Sequence, residues 1–333
     1  MSTSSITWPK MCQLASAARI GRRFGTRRQW VLALLLLGSL MCGYAQDTPI
    51  GPIASSGIVH TSEVDLAFEI WGKPTAEFPV VVVNGGPGLS HKYMIQNDVW
   101  QKLAARRQIV FYDQRGTGKS QRIQSGASQE IEAQLADLEA VRAHFGFQKI
   151  DIVGDSFGGF LAMAYASAHP ERIHKMILSD AAPPALKDIV HLLPQVFPDI
   201  EEEDADIQKQ LGDAGEAAQK QLLNHFRMIF YSEEKMHAYL EHIGDIGYAP
   251  SVGEAVERSA LKVDLTQELP KFQFPTLVIT GRYDMNVAPL TAWRMYKAIP
   301  GARLVIFAKS GHLPSYEEPD RYVQVVDDFL GGR

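Results

Sequence analysis

The sequence predicts an α/β fold in which a mostly parallel β-sheet is covered by helices on both faces. Short apolar runs rich in β-branched residues recur along the chain, as is typical of strands buried on both faces. Helix-like segments lie between these runs, and strand alternating with helix indicates a parallel sheet. The alternation is interrupted once, between Asp180 and Pro275, by a segment of helical character. We therefore expect a helical cap inserted into the sheet domain.

The first 45 residues have the layout of a signal peptide. They hold six of the 33 basic residues and no acidic one, and the uncharged run Val31–Met41 is followed by Gly43-Tyr44-Ala45. This pattern predicts cleavage after Ala45 and an exported protein, periplasmic or secreted. Arg27-Arg28 is compatible with twin-arginine export as well as with the ordinary Sec route. The run is shorter than the about 20 residues of a spanning helix, so no stable membrane anchor is expected after cleavage.

The composition after residue 45 limits the function classes. Both cysteines, Cys12 and Cys42, precede the expected cleavage site. A disulfide, a cysteine nucleophile and a cysteine-bound metal are therefore not expected. All 38 acidic residues but only 27 of the 33 basic ones lie in the mature part. Such an acidic surface repels phosphate groups, so nucleic acid is not expected as a partner.

The elements of the mature part follow in order. The alternating pattern within Ile58–Trp71 predicts an antiparallel strand pair. Buried strands are predicted at Val80–Val83, Ile109–Tyr112, Ile150–Val153, Met176–Leu178, Leu277–Thr280 and Leu304–Phe307. Helices are predicted at Met94–Arg106, Ser128–Phe145, Phe157–His169, Leu290–Ala298 and Asp320–Leu330. The sheet domain should thus span residues 46–182 and 270–333, and the cap residues 183–269. Eleven acidic and four basic residues lie in Asp199–Glu241 of the cap, a charge run that usually marks a solvated helix face.

A candidate nucleophile lies at Ser156, in Gly154-Asp155-Ser156-Phe157-Gly158. The pattern G-x-S-x-G is common by chance, but here it directly follows a predicted buried strand and directly precedes a predicted helix. This is the strand–turn–helix context that a nucleophile elbow requires. A serine hydroxyl also needs a base to accept its proton, so a histidine and an acid should follow later in the chain.

The candidate base and acid are His312 and Asp284. His312 follows a predicted strand within Ser310-Gly311-His312, at a strand's carboxyl end where open α/β sheets place ligands. Asp284 follows the preceding strand, and the alternative acid Asp264 comes before that strand. The order Ser156, Asp284, His312 predicts a catalytic triad in which Asp284 orients His312.

A glycine-rich loop after Val80–Val83, Asn84-Gly85-Gly86-Pro87-Gly88, is the expected site of an oxyanion hole. The backbone N–H groups of Gly86 and Phe157 are the candidate donors. A glycine-rich loop after a strand could instead bind phosphate, but the phosphate-binding pattern G-x-x-x-x-G-K-[ST] is absent from this sequence. The segment that most resembles it, Gly116-Thr117-Gly118-Lys119-Ser120, lacks the first glycine at the required spacing.

Together, Asn84–Gly88, Asp113-Gln114-Arg115-Gly116-Thr117-Gly118-Lys119-Ser120 and Gly154–Gly159 resemble the proline iminopeptidases of the α/β-hydrolase superfamily. The resemblance covers about Ile58–Asp180 and Pro275–Leu330. It implies an α/β-hydrolase fold with an inserted helical cap. It also implies a serine hydrolase that removes an N-terminal residue, often proline, from short peptides without a metal or organic cofactor.

Three positions depart from the family pattern: Asn84 replaces a histidine, Phe157 replaces a tryptophan or tyrosine, and Met285 replaces an acid that binds the substrate amine in relatives. The remaining candidates for amine binding are Glu254 and, one turn on, Glu257. The same triad would also serve an esterase or another small-molecule acyl hydrolase. A third hypothesis is a non-enzymatic binding protein, but the complete candidate triad argues against it. The expected partner is therefore a small peptide or small molecule, and the oligomeric state stays open.

Overall fold

The computed structural model describes residues 55–212 and 214–332, and the predicted signal peptide lies outside them. Eight strands form one sheet in the order β1-β2-β4-β3-β5-β6-β7-β8. β1 and β2 pair antiparallel, β2 pairs antiparallel with β4, and every other pairing is parallel. The strands are β1 Ser55–His60, β2 Asp65–Trp71, β3 Val80–Val83, β4 Ile109–Tyr112, β5 Ile150–Asp155, β6 Ile173–Ser179, β7 Thr276–Gly281 and β8 Arg303–Phe307. The prediction of an α/β fold with a mostly parallel sheet is confirmed.

Helices follow the parallel strands, and five of them lie between β6 and β7. Those five are α4 Leu193–Val196, α5 Ile200–Leu211, α6 Ala214–Phe226, α7 Glu233–His242 and α8 Pro250–Ala260. The others are α1 Val99–Ala104, α2 Ile131–His144, α3 Phe157–Ala168, α9 Pro289–Ala298, α10 Pro314–Glu317 and α11 Pro319–Leu330. None of the helices within residues 55–212 and 214–332 is both long and apolar enough to cross a membrane.

The sheet is buried on both faces, as its β-branched composition predicts. In β3, Val81 and Val83 belong to an apolar cluster that includes residues of α2 and α3. The alternate residues Val80 and Val82 belong to a second cluster, which includes residues of α1 and α11. Because side chains alternate along a strand, an all-valine strand supplies both clusters at once.

Two predicted helices begin later than expected, because polar side chains compete for the backbone. Of the predicted helix Met94–Arg106, only α1 is helical, and it begins at Val99. A separate 3₁₀ turn, His91–Met94, ends where the helix was predicted to begin. Between them, the side chain of Asn97 accepts a hydrogen bond from the N–H of Val99 (3.2 Å). Ser128 likewise accepts from the N–H of Glu130 (3.2 Å), and α2 begins at Ile131 rather than at Ser128. Such side-chain bonds offer the backbone an alternative to the helix.

Candidate active site

Ser156 sits on a sharp turn between β5 and α3. Its backbone has φ 53° and ψ −122°, a conformation that is strained for a residue with a side chain. The turn is held by three hydrogen bonds: the Ser156 N–H donates to the carbonyl of Ser179 (3.0 Å), and the Ser156 carbonyl accepts from Gly159 and Ala182 (2.9 Å each). A Cβ at Gly158 would overlap the carbonyl oxygens of Val83 and Asn84, so a glycine is required there.

The structure brings Ser156, His312 and Asp284 together. Ser156 Oγ lies 3.0 Å from His312 Nε2, and His312 Nδ1 lies 2.7 Å from Asp284 Oδ2. The other oxygen of Asp284 accepts hydrogen bonds from the N–H groups of Asn286 (2.9 Å) and Val287 (2.8 Å). Since Asp284 occupies Nδ1 as an acceptor, the imidazole carries its proton there and presents the Nε2 lone pair to the serine. This arrangement can take a proton from a serine hydroxyl and return it to a leaving group.

Burial and the nearby carboxylates shift the pKa of His312 in opposite directions. Burial lowers the pKa of the imidazole, but the charge and hydrogen bond of Asp284, with a further contribution from Asp155, raise it above its ordinary value. Burial in turn raises the pKa of Asp155 to about 6, although the charge of His312 and the hydrogen bond from Tyr93 pull it down.

The loop that carries His312 is tied to the cap. The N–H of His312 donates to the carbonyl of Ile229 (2.7 Å), which lies between α6 and α7. Glu317 accepts hydrogen bonds from the N–H groups of Gly311 (2.6 Å), Tyr231 (2.9 Å) and Ser232 (2.8 Å). One carboxylate therefore joins the histidine loop to the chain that connects two cap helices.

The glycine-rich loop lies against Ser156. A Cβ at Gly85 would come within 2.7 Å of the Ser156 Cβ. The hydroxyl of Tyr93 accepts a hydrogen bond from the Gly85 N–H (2.7 Å) and donates one to Asp155 (2.5 Å). Gly86 lines the same cavity as Ser156, and Phe157 is the first residue of α3, where an N–H has no intrahelical acceptor. The assignment of the Gly86 and Phe157 N–H groups as oxyanion donors stays a prediction.

The segment Asp113–Ser120 supports this loop from below. Gln114 donates to the carbonyl of Asn84 (2.7 Å), and Asn84 donates to the carbonyls of Gly85 (3.0 Å) and Leu89 (2.7 Å). Arg115 pairs with the buried Asp137 through two nitrogens (2.7 and 2.8 Å). Asn84 thus fixes both ends of the glycine-rich loop through its side-chain amide.

A cavity of about 480 Å³ lies above Ser156, between the sheet edge and the cap. Three carboxylate side chains line it, Asp204, Glu254 and Glu257, together with apolar residues such as Leu193, Leu222, Phe226 and Ile229. Within residues 55–212 and 214–332, no lysine or arginine lines this cavity. Its volume suits a small ligand, and its charge favours a cationic one.

Relatives of known family share this architecture over most of their length. Residues 79–319 match the α/β hydrolase fold family. A proline iminopeptidase from Saccharolobus solfataricus is 30% identical over 289 residues, which cover 80% of this chain and 89% of that protein. The chain belongs to the proline iminopeptidase family of α/β hydrolases. An AB hydrolase superfamily protein from Bacillus subtilis is 29% identical over 289 residues, which cover 83% of this chain and 98% of that protein. The solved structure of an esterase from Thermogutta terrifontis matches with a TM-score of 0.65 and 25% identity, over 84% of this chain and 99% of that one.

Two features of this member of the proline iminopeptidase family bear on the predicted amine site. Glu254 and Glu257 line the cavity, but the Glu254 side chain is 69% exposed and lies 3.6 Å from Arg258. Met285, where the resemblance led us to expect an acid, packs against an apolar cluster of Leu193, Ile200 and Met228. The amine-binding carboxylates predicted from the sequence therefore come from α8 alone.

The alternative acid Asp264 lies away from the triad. It pairs with Lys187 (3.0 Å) and accepts from the N–H of Thr266 (3.0 Å). Both contacts involve residues outside the cavity over Ser156, and the first is solvent-exposed. The structure thus brings Asp284, and not Asp264, to His312.

Sequence reasoning missed four polar residues around the triad: Tyr93, Asp155, Asp180 and Asn286. Asp180, which follows β6, is fully buried, and burial together with the charge of Asp284 raises its pKa well above the ordinary value. Asp180 ends a strand, just as Asp284 and His312 follow strands, and this position at the sheet edge was the available signal. No such signal marked Tyr93 and Asn286, because Tyr93 lies in the short 3₁₀ turn His91–Met94 and Asn286 in the loop after β7.

Asp180, Asp284 and His312 form the one metal-like cluster in the part of the chain that the structure describes, with ligand atoms within 4.8 Å of one another. Hydrogen bonds already engage them. Asp284 accepts from His312, and Asp180 accepts from the N–H of Gly281 (2.8 Å) and the hydroxyl of Ser179 (3.2 Å). These protein partners account for the cluster without an ion.

Proposed function

We propose that this protein is a serine hydrolase that releases an N-terminal residue, proline or another small apolar one, from short peptides. The observation that carries the proposal is the acidic cavity over Ser156, lined by Asp204, Glu254 and Glu257. A free amino terminus is cationic, and a carboxylate that lines the cavity is its natural partner. The proline iminopeptidases among its relatives support the same choice.

The proposed reaction runs through an acyl-enzyme. Ser156 Oγ attacks the carbonyl carbon of the first residue while its proton passes to His312 Nε2. Asp284 stabilises the imidazolium that forms. The N–H groups of Gly86 and Phe157 would bind the oxyanion, at about 3–4 kcal/mol for each donor. His312 then protonates the leaving amine, and a water activated by the same imidazole hydrolyses the ester.

Amine binding is assigned to Glu254 and Glu257 on α8. Both carboxylates line the cavity beside Tyr248, whose pKa is raised by burial and further by the charges of Glu254 and Glu257. Asp204 is already paired with His225 (2.8 Å), which leaves it a weaker candidate. A substrate amine between α8 and Ser156 would leave room for one residue before the scissile bond.

An esterase acting on small uncharged acyl groups is the second candidate. The observation that favours it is Met285, which packs against an apolar cluster where the resemblance to the family implied an acid. The exposure of Glu254 acts in the same direction, because a solvated carboxylate contributes little to binding.

The two candidates differ in how they treat a blocked amine. The assay compares prolyl-aryl-amide with its N-acetylated form and with a simple aryl acetate. An aminopeptidase should lose at least ~2 kcal/mol of transition-state binding on acetylation, about 30-fold in kcat/KM. Equal hydrolysis of the acetylated amide or of the aryl acetate would favour the esterase instead.

Variants of α8 sharpen this test. Glu254→Gln and Glu257→Gln should each raise KM for the free-amine substrate and leave kcat/KM for the aryl acetate unchanged. Glu241→Gln on α7 is the matched control, because Glu241 is exposed and does not line the cavity. If neither α8 variant changes the ratio of the two substrates, the amine is bound elsewhere.

A further inference from the structure

Asn286 touches both ends of the acid–base pair. Its backbone N–H donates to Asp284 Oδ1 (2.9 Å), and its side-chain Nδ2 lies 3.2 Å from His312 Nε2. The side chain is half-buried and lines the cavity together with Ser156 and His312. No other described side chain besides Ser156 is hydrogen-bonded to Nε2 in this structure.

The neutral imidazole has a single acceptor site for these two neighbours. Because Nδ1 carries the proton bound to Asp284, Nε2 offers one lone pair. Ser156 Oγ at 3.0 Å and Asn286 Nδ2 at 3.2 Å both point donors at that lone pair. Once Nε2 is protonated it becomes a donor, and the amide N–H of Asn286 loses its acceptor. With Nδ2 toward the ring, as the structure has it, the amide contact therefore exists only with the neutral ring.

We propose that Asn286 is a positioning residue of the catalytic base, which holds the neutral ring of His312 in the free enzyme and competes with Ser156 for its lone pair. This role rests on the proposed serine-hydrolase function. It concerns the loop after β7 and does not depend on whether the substrate is an amide or an ester.

The other groups around the ring act in the opposite direction. Asp284 from the loop after β7, Asp155 from the end of β5 and Asp180 from the end of β6 are carboxyl groups, and any negative charge on them favours the imidazolium. A hydrogen bond donated to the neutral ring disfavours the imidazolium. Asn286, together with the Ser156 hydroxyl, thus opposes the effect of these carboxyl groups on the ring.

The test measures the rate at which a fluorophosphonate labels Ser156 as a function of pH, since this rate reports the base without a leaving amine. Asn286→Leu keeps the size of the side chain and removes the donor. Its acid limb should move to higher pH by about half to one unit, the equivalent of one neutral hydrogen bond. Its plateau rate should exceed that of the wild type, because Ser156 no longer shares the lone pair.

Two further variants complete the design. Asn286→Asp places a carboxylate beside the ring and should move the acid limb further than Asn286→Leu. Asn224→Leu is the matched control, since the Asn224 amide faces Glu203 (3.0 Å) and Asp204 (3.3 Å) and not His312. Its acid limb should coincide with that of the wild type.

The outcomes separate this role from a packing role and from the proposed function. An acid limb that stays at the wild-type pH in Asn286→Leu, whatever its plateau, would mean that Asn286 only fills space, and would overturn the proposal. A wild-type protein that takes no label at Ser156 would overturn the serine-hydrolase function and this role with it. Asn286→Asp shows only that the assay detects a changed pKa of the ring, and Asn286→Ala, which also removes the donor, replaces Asn286→Leu if that variant fails to fold.

Discussion

At the residue scale, the strained turn at Ser156 is held by its backbone and not by the serine side chain. The hydrogen bonds that hold the turn are all backbone bonds to Ser179, Gly159 and Ala182, so the serine side chain takes no part in them. Substitutions of that side chain should therefore leave the turn intact.

Ser156→Ala, His312→Ala or Asp284→Asn should each nearly abolish turnover, with losses of the order of 10⁴–10⁶. The effects should be strongly non-additive, because the three residues act as one unit. Steady-state kinetics and the melting temperature of each variant test this. Activity close to wild type in Ser156→Ala would show that another residue is the nucleophile.

The pH profile of kcat/KM should have its acid limb above pH 6.5, the ordinary pKa of histidine. The carboxylates of Asp284 and Asp155 outweigh burial and raise the pKa of His312, and the base works only when neutral. Activity should thus be complete at high pH and be lost as the pH falls through that raised value. An acid limb below pH 6 would contradict this balance of charges.

Tyr93→Phe should lower kcat about 10-fold or more with little change in KM. The lost hydroxyl leaves the Gly85 N–H and Asp155 without their partner, so the glycine-rich loop loses its anchor. Tyr239→Phe is the control, because its buried hydroxyl donates to the Tyr93 carbonyl (2.9 Å) and not to the loop. Equal kinetic effects of both changes would argue that Tyr93 acts only through packing.

At the element scale, a buried ionic cluster pins the 3₁₀ turn His91–Met94 to the sheet. His91 Nδ1 lies 2.8 Å from Asp113 and Nε2 lies 3.4 Å from Glu69, the second contact being an ion pair without hydrogen-bond alignment. Burial opposes the charge on His91, yet Asp113 and Glu69 raise its pKa to about 9. The pKa of Glu69 is correspondingly lowered to about 2.

The free energy of unfolding should therefore decline between about pH 6.5 and 9. The folded pKa of His91 lies above the unfolded one, so its contribution is complete below 6.5 and is lost as the pH rises through 9. The loss should be on the order of 3 kcal/mol in the wild type. Urea unfolding of His91→Gln should show little of this decline, whereas the exposed His60→Gln should retain it.

The buried strands and the proximity of Ser156, His312 and Asp284 could be predicted from the sequence, because each leaves a local pattern. Val80–Val83 and Ile109–Tyr112 have the predicted bounds, since a short uninterrupted run of β-branched and aromatic residues favours a strand. His312 and Asp284 could be selected because each follows such a run. Asp155, Tyr93 and Asn286 could not be assigned, because their contacts depend on side-chain directions across residues far apart in the chain. The pairing of Gln114 with Asn84 is long-range for the same reason.

At the scale of the whole molecule, the charge distribution along the chain, a basic leader before an acidic mature part, predicts an exported protein. The excess of acidic residues after residue 45 and the basic leader before it motivate the prediction that residues 1–45 are removed. Intact mass of the protein from the periplasm or medium should correspond to a chain that begins at Gln46. An unprocessed chain in the cytoplasm would contradict export, and replacing Arg27-Arg28 by two lysines should block it only on the twin-arginine route.

The bonds between the histidine loop and the cap restrict how substrate and product can exchange. Any swing that lifted residues 229–232 away from the sheet edge would break the hydrogen bond between Ile229 and His312 and the two bonds of Tyr231 and Ser232 to Glu317. Glu317 also holds the N–H of Gly311 in the histidine loop. The position of the histidine loop is thus energetically coupled to the closure of the cap at this seam.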